Sequence, residues 1–248
     1  MKALIIAGGT ALLSVLACAA PTAAADPLVL TDVQWVAEPA GGKNGTPRVR
    51  IQHKNSSSDQ TLDGSRTSFA DAAAALGRAA PGPVAFTLTQ DAGTLSCTGT
   101  LNRAYEGKGD CRFTSDPGFE RALGERGLAP EHRATLLAMM MVDATIELAD
   151  GLAREGVRPK DAGDLIAAAA LDVTPAYVRD LKSEAIVPTE VEDAIACKAL
   201  GVDGAYVRGL AAAGYRRLSA DDVVGMKAMG VTGEYAQAMN RAAKGSAQ

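Results

Sequence analysis

Two cysteines, Cys97 and Cys111, are the residues whose spacing predicts a definite chemistry. They lie in the neighbouring segments 93–101 and 107–115, where apolar and polar residues alternate as they do in paired antiparallel strands. A turn centred near Ala104 sets the two cysteines directly opposite each other, where their Cβ atoms are close. We therefore predict a Cys97–Cys111 disulfide, and the alternative is a pair of small buried thiols.

Other side chains that could carry catalysis or bind a metal are isolated in the sequence. His53 and His132 have no partner nearby, and no Gly-x-Ser-x-Gly nucleophile motif is present. Cys197 lies at an apolar helical position, which favours an inert buried thiol, and the methionine run 139–141 favours a helix core over a copper site. We predict no catalytic residue, no metal and no cofactor; a hydrolase site assembled in space is the weaker alternative.

The segments around the cysteines predict a three-stranded antiparallel meander. A third alternating segment, 83–90, precedes the other two, and a turn at Asp91-Ala92 joins it to the next strand. The two turns align the apolar residues of all three strands on one face, which fixes the register. The facing pairs are Phe86 with Cys97, Leu88 with Leu95, and Leu95 with Phe113.

The residues before the meander give weaker signals. The segments 33–39 and 47–55 predict edge strands, and the rest of 38–66, which is rich in Gly, Ser and Asn, predicts a loop. The segment 67–79 predicts a helix with Thr67 or Ser68 near its N-cap.

A 29-residue period governs the second half of the chain. The copies are "DVTPAYVRDL" at 172–181, "GVDGAYVRGL" at 201–210 and "GVTGEYAQAM" at 230–239. A degenerate first copy without the tyrosine fits at 130–158, as is typical of an end repeat. Helices this short are marginal in water, so the units must be stacked on one another to be stable.

The pattern within each 29-residue unit predicts two short helices. In the second helix of one copy, Thr174 is the N-cap, Pro175 takes the first helical position, and Val173 packs on Val178. The first helices begin at "TEVE" (189–192) and "SADD" (219–222), which both resemble capping boxes.

The recurring tyrosines form a ladder along one side of such a stack. One interpretation packs each ring between helices, with its hydroxyl at the rim. The other has the tyrosines and neighbouring arginines line a partner-binding face, since aromatic and arginine side chains dominate interface energetics. The residues concerned are Tyr177, Arg179, Tyr206, Arg208 and Tyr235.

The N-terminus has the form of a bacterial export signal. Lys2 precedes an apolar run, and small residues before Asp26 permit cleavage there, so residues 1–25 form the predicted signal. The alternative is cleavage before Cys18 with lipid attachment to it. No later stretch approaches the ~20 apolar residues that a spanning helix needs.

The net charge of −4 and the interspersed charges argue against a nucleic-acid surface.

The repeats resemble a family of largely uncharacterised exported bacterial proteins. The residues that carry the resemblance are "SADDVVGMKAMGVTGEYAQAM" (219–239) and its copies, together with the preceding segment 86–128. Similar repeats, of a "GVTPEYVREL" type, are appended to some membrane metallopeptidases of the beta-lactam-sensor type. The resemblance implies an exported setting and regulation or partner binding. It carries over no peptidase site, because the HExxH pattern is absent.

The sequence thus predicts an α+β fold, in which an N-terminal antiparallel β-meander with a helix precedes an all-α stack of short helical-hairpin repeats. Residues 26–128 form the small α+β domain, and 129–248 hold four repeats at 130–158, 159–187, 188–216 and 217–245. We expect a non-enzymatic module, periplasmic or secreted, that binds another cell-envelope protein. The alternatives are a structural domain without a dedicated partner and a membrane-tethered lipoprotein.

Overall fold

The computed structural model describes residues 26–41, 45–78, 80–184 and 186–245. The predicted signal segment 1–25, with Cys18, lies outside these residues. Within them, no helix has both the length and the apolar character needed to cross a membrane.

An antiparallel sheet of six strands forms the N-terminal half, in the order β3-β2-β1-β6-β5-β4. Two three-stranded meanders therefore meet where β1 pairs with β6. The strands are β1 (Val29–Glu38), β2 (Arg48–His53), β3 (Ser56–Thr61), β4 (Gly82–Gln90), β5 (Gly93–Arg103) and β6 (Glu106–Ser115).

The predicted register of the second meander is confirmed. Phe86 faces Cys97 and Leu88 faces Leu95 across β4 and β5. Across β5 and β6, Leu95 faces Phe113 and Cys97 faces Cys111. The alternation of apolar and polar residues was enough to predict this register. One face of these strands is buried, and a shift by one residue would expose its apolar side chains.

The first meander corrects the expectations for the segment before it. The strand β1 lies in the middle of the sheet, between β2 and β6, and β2 lies inside it as well, so neither is an edge strand. The strand predicted within 47–55 is β2, and the rest of 38–66, predicted as a loop, contains the edge strand β3. The strand β3 is rich in serine and has low intrinsic β propensity. Pairing with β2 through the two-residue turn Lys54-Asn55, where Lys54 has φ 52°, supplies its order.

Trp35 anchors the buried face of the sheet. The indole is fully buried, donates from Nε1 to the carbonyl oxygen of Thr98 at 3.0 Å, and meets the ring of Phe86 edge-on. Two paired glycines, Gly99 and Gly109, lie beneath it, and a Cβ on either would come within 2.6 Å of the indole. Any larger residue at either position would clash with the indole, so both positions require glycine.

Two helices cover this face of the sheet. A 3-10 turn, Thr67–Phe69, leads into α1 (Ala70–Leu76), which packs on β4. The predicted helix over 67–79 exists but is shorter. Thr67 and Ser68 lie in the 3-10 turn just after its N-cap residue Arg66, and no side chain caps either the turn or α1. The methionine run belongs to α3 (Thr135–Val142) and is buried against β5 and β6, as a helix core.

The described C-terminal part of the chain consists of short helices packed in pairs. They form two rows of neighbours, one of odd-numbered and one of even-numbered helices. The helices are α2 (Pro117–Glu125), α3 (Thr135–Val142), α4 (Ile146–Arg154), α5 (Ala162–Ala170), α6 (Pro175–Ser183), α7 (Val191–Ala199), α8 (Gly204–Ala212), α9 (Ala220–Ala228) and α10 (Gly233–Gly245). The predicted stack of helical hairpins is confirmed.

The even row begins earlier than the sequence indicated. Helix α2 starts 29 residues before α4, and Asp116 caps it as Thr174 caps α6. Phe119 takes the place of the repeated tyrosine, and Leu123 that of Leu181. Helix α2 is thus the second helix of a half-repeat, joined directly to β6.

The turns inside the hairpins also repeat every 29 residues. Each first helix ends on a left-handed residue, which allows the next backbone N–H groups to bond the last carbonyls of the helix. The four residues are Asp143, Asp172, Gly201 and Gly230, with φ between 56° and 74°. The cap at Thr174 with Pro175 after it is confirmed, and so is the capping box of Ser219 and Asp222.

The capping box predicted at 189–192 is shifted by one residue. Glu190 is the N-cap of α7, and the reciprocal partner is Asp193 rather than Glu192. The Asp193 carboxylate accepts from the backbone N–H groups of Thr189 and Glu190 and from the Thr189 hydroxyl. Helix α7 therefore begins at Val191, in phase with the 29-residue period.

Sheet and first helices share one hydrophobic core, which runs from Val33 through α3 to Leu165 in α5. Farther along the array, smaller clusters fill the space between successive pairs. Stability of the outer repeats therefore depends on neighbour contacts, as in other stacked arrays.

Candidate functional site: the open end of the helical array

The cysteines form the predicted bond. Cys97 and Cys111 are disulfide-bonded with their Cα atoms 4.0 Å apart, on the buried face of the sheet. Such a bond indicates an oxidising, extracytoplasmic compartment. Cys197 is a free, fully buried thiol, and burial raises its pKa to about 11, so it is a poor nucleophile.

The inner tyrosines of the ladder fasten each repeat to the next. The hydroxyl of Tyr177 donates to the carbonyl oxygen of Val202 at 2.7 Å, and that of Tyr206 donates to Val231 at the same distance. The acceptor belongs in each case to the hairpin turn of the following repeat. A lysine of that repeat covers each ring: Lys198 lies over Tyr177, and Lys227 over Tyr206.

Arginines of the ladder bind in the opposite direction, to the preceding repeat. The guanidinium of Arg179 lies 2.7 Å from the Glu155 carboxylate, and Arg208 makes the equivalent pair with Glu184. One step earlier, Arg126 and Asp150 occupy the same two positions with the charges exchanged, at 2.7 Å. The array thus keeps the ion pair and reverses its polarity.

Helix C-termini are capped across the same boundaries. Lys182 donates to the backbone carbonyl of Glu155, at the end of α4. Two repeats later, Asn240 holds the equivalent place and donates to the carbonyl of Ala213 at 2.6 Å. Helices α6 and α10 therefore cap the C-termini of α4 and α8, whereas α8 has Ala211 at the equivalent position and supplies no such donor.

These contacts stop at the last repeat. Tyr235, which corresponds to Tyr177 and Tyr206, is 55% exposed. Met239 is 53% exposed, although the equivalent leucines, Leu181 and Leu210, are fully buried by the repeats that follow them. Met229 is 75% exposed, whereas its inner equivalents Leu171 and Leu200 are 37% and 40% exposed. We call these three residues, Tyr235, Met239 and Met229, the open end.

The other end of the array is closed. Phe119 and Leu123 of α2, which correspond to Tyr235 and Met239, are buried in the core that α2 shares with the sheet. Arg133 strengthens this junction: it donates to the Glu120 carboxylate and to the backbone of Asp26. Within the described array, the positions equivalent to Tyr235 and Met239 are therefore exposed only at the C-terminal end.

The two histidines line the same cavity, although they are far apart in the sequence. His53 at the end of β2 and His132 before α3 line one cavity of about 690 Å³. The available signal was the alternation in 48–53, which puts His53 on the same buried face as Val49 and Ile51. Within the described part of the chain, no group of three or more His, Cys, Asp or Glu side chains could hold a metal ion.

Comparison of the chain with protein-family models, with curated proteins and with solved structures finds no significant match. Function is therefore inferred from the residues and their geometry alone.

Proposed function

We propose that this protein is a non-enzymatic exported interaction or regulatory module of the bacterial cell envelope, and that the open end contacts another envelope protein. The observation that carries the proposal is the exposure of Tyr235 and Met239 at positions that are covered in every preceding repeat. Exposed apolar clusters of this kind are typical of interaction sites.

The surface chemistry of the open end specifies what its partner offers. The Tyr206 contacts are the template: a carbonyl oxygen accepts the hydroxyl, and an ammonium group covers the ring. A partner that presents a short helical pair, with one free turn carbonyl and apolar side chains beside it, meets Tyr235 and Met239 in the same way. Tyrosine is well suited to such a contact, because it combines an apolar ring with a polar tip.

The inner residues of the predicted ladder contribute to this function indirectly, because they hold neighbouring repeats together. Tyr177 and Tyr206 are occupied by the following repeat, and Arg179 and Arg208 by the preceding one. Of the five residues predicted to bind a partner, we therefore assign the direct contact to Tyr235. The other four hold the stack that presents it.

The proposed setting is the periplasm or the exterior of the cell. The buried disulfide supports it, and so does the export signal read from residues 1–25. Lipid attachment at Cys18 would tether the same module to a membrane, with the array free to reach its partner.

Crosslinked affinity capture from envelope extract tests this proposal. The mature chain is compared with Met239→Glu at the open end and with Leu171→Glu, which adds the same charge at an exposed site on an inner repeat. We expect one envelope protein to be enriched by the wild type and by Leu171→Glu and lost with Met239→Glu. Equal enrichment by all three chains excludes the open end as the contact. No enrichment, together with turnover in a broad hydrolase screen, overturns the interaction function.

A further inference from the structure

The cavity that contains both histidines lies between the β2–β3 hairpin and the start of α3. Its volume of about 690 Å³ is in the range typical of small-molecule sites. Apolar side chains form its inner wall, namely Ile51, Leu137 and Met141, and each of them is buried. This part of the cavity suits a hydrocarbon chain or an aromatic ring.

The mouth of the cavity is polar and basic. Its exposed lining residues include Lys54 in the hairpin turn, Ser56 and Ser57 just after the turn, and His132 before α3. Among the described residues that line the cavity, none carries a carboxylate. Lys54 forms no ion pair with any described residue, and its charge is available to a ligand.

His53 adds a buried polar group to the wall. Its side chain is only 9% exposed, and its Nε2 atom has no hydrogen-bond partner among the described residues. The Asp32 carboxylate lies 3.1 Å from Nε2, too poorly aligned for a hydrogen bond. A buried imidazole in this position is unusual for a wall that serves packing alone.

We propose that this cavity binds a small amphipathic anion, such as a medium-chain carboxylate. The hydrocarbon part lies against Ile51, Leu137 and Met141, and the anionic head meets Lys54, His132 and the serine hydroxyls at the mouth. Apolar burial supplies the affinity, and the charge at the mouth selects an anionic head over a neutral one. The site is distant in sequence from the open end and is independent of the proposed interaction function.

Calorimetric titration of the mature, disulfide-bonded chain with sodium decanoate tests the assignment. Ala138 of α3 lines the cavity and is exposed, so Ala138→Trp fills the space without disturbing the core. We expect saturable binding of one decanoate, weakened at least about tenfold by Ala138→Trp. Lys54→Glu should weaken it about threefold to fivefold, because a charge at the mouth is partly screened by water.

Two controls make the result specific. Lys108→Glu removes the same charge from β6, outside this cavity, and should leave decanoate binding unchanged. Decanol offers the same chain without the charge and should bind more weakly than decanoate. The proposal is overturned if decanoate does not bind, if Ala138→Trp binds it as well as the wild type, or if decanol binds as tightly. Near-ultraviolet circular dichroism verifies that each variant is folded.

Discussion

The hydroxyl of Tyr206 lies 2.7 Å from the carbonyl oxygen of Val231, and Tyr177 stands in the same relation to Val202 one repeat earlier. The bond joins the second helix of one repeat to the hairpin turn of the next. Tyr235 is the last tyrosine of this series among the described residues, and there its side chain is 55% exposed.

Tyr206→Phe should therefore lower the free energy of unfolding, whereas Tyr235→Phe should not. Removing the Tyr206 hydroxyl leaves the Val231 carbonyl without its partner, at a cost of about 1 kcal/mol. Urea denaturation of the two variants beside the wild type measures the difference. Equal losses at both positions would show that the hydroxyls do not act through the repeat boundary.

The thiol count provides a second prediction. The chain that begins at Asp26 should show one reactive thiol when it is denatured without reductant, because only Cys197 is free. In the folded chain this thiol should react slowly, since it is fully buried and its pKa is raised to about 11. Three reactive thiols after denaturation would contradict the disulfide.

Loss of the bond in a Cys97→Ala/Cys111→Ala chain should lower the free energy of unfolding by about 3 kcal/mol.

The exchanged ion pair predicts a charge-reversal rescue. Arg126→Glu should destabilise the junction between α2 and α4 by about 1 kcal/mol, because it faces Asp150 with a like charge. Adding Asp150→Arg restores an attractive pair with the polarity found at Glu155 and Arg179, and should recover most of the loss. A double variant no more stable than the single one would show that the pair does not couple these helices.

Acidification should weaken the closed end of the array. The hydrogen bond from Arg133 lowers the pKa of Glu120 below its ordinary value of 4.5, with a further contribution from Ser115. A carboxyl whose pKa is lowered by folding stabilises the fold above its unfolded pKa, and this contribution disappears as the pH falls through the folded value. Glu120→Gln should reduce stability at pH 7 and flatten its decline below pH 4.5. Glu125→Gln, an exposed neighbour on α2, is the matched control; an identical acid profile for both variants would exclude the mechanism.

Much of this architecture could be predicted because its signals are local. The alternation around Cys97 fixes the strand register, and the 29-residue period fixes the helices that follow Asp161. Strand β3 escaped prediction because its serines carry no β signal and its order comes from pairing with β2. Helix α2 was missed as a repeat because Phe119 replaces the tyrosine, although the cap and the leucine are retained.

The open end and the cavity depend on tertiary contacts. The sequence singled out Tyr235 together with its inner equivalents, but only packing distinguishes a covered tyrosine from an exposed one. His53 and His132 are far apart in the chain, yet both line the cavity between the β2–β3 hairpin and the start of α3. No pattern in one sequence encodes that placement.

Photocrosslinking in intact cells tests the central claim, that the open end is the contact face, most directly. A benzophenone amino acid replaces Met239 in one chain and Leu171 in another, so that the two probes differ only in their place on the array. The open-end account predicts that irradiation joins one envelope protein to the chain labelled at position 239 and none to the chain labelled at 171. Crosslinks from position 171 that match or exceed those from position 239 would contradict it.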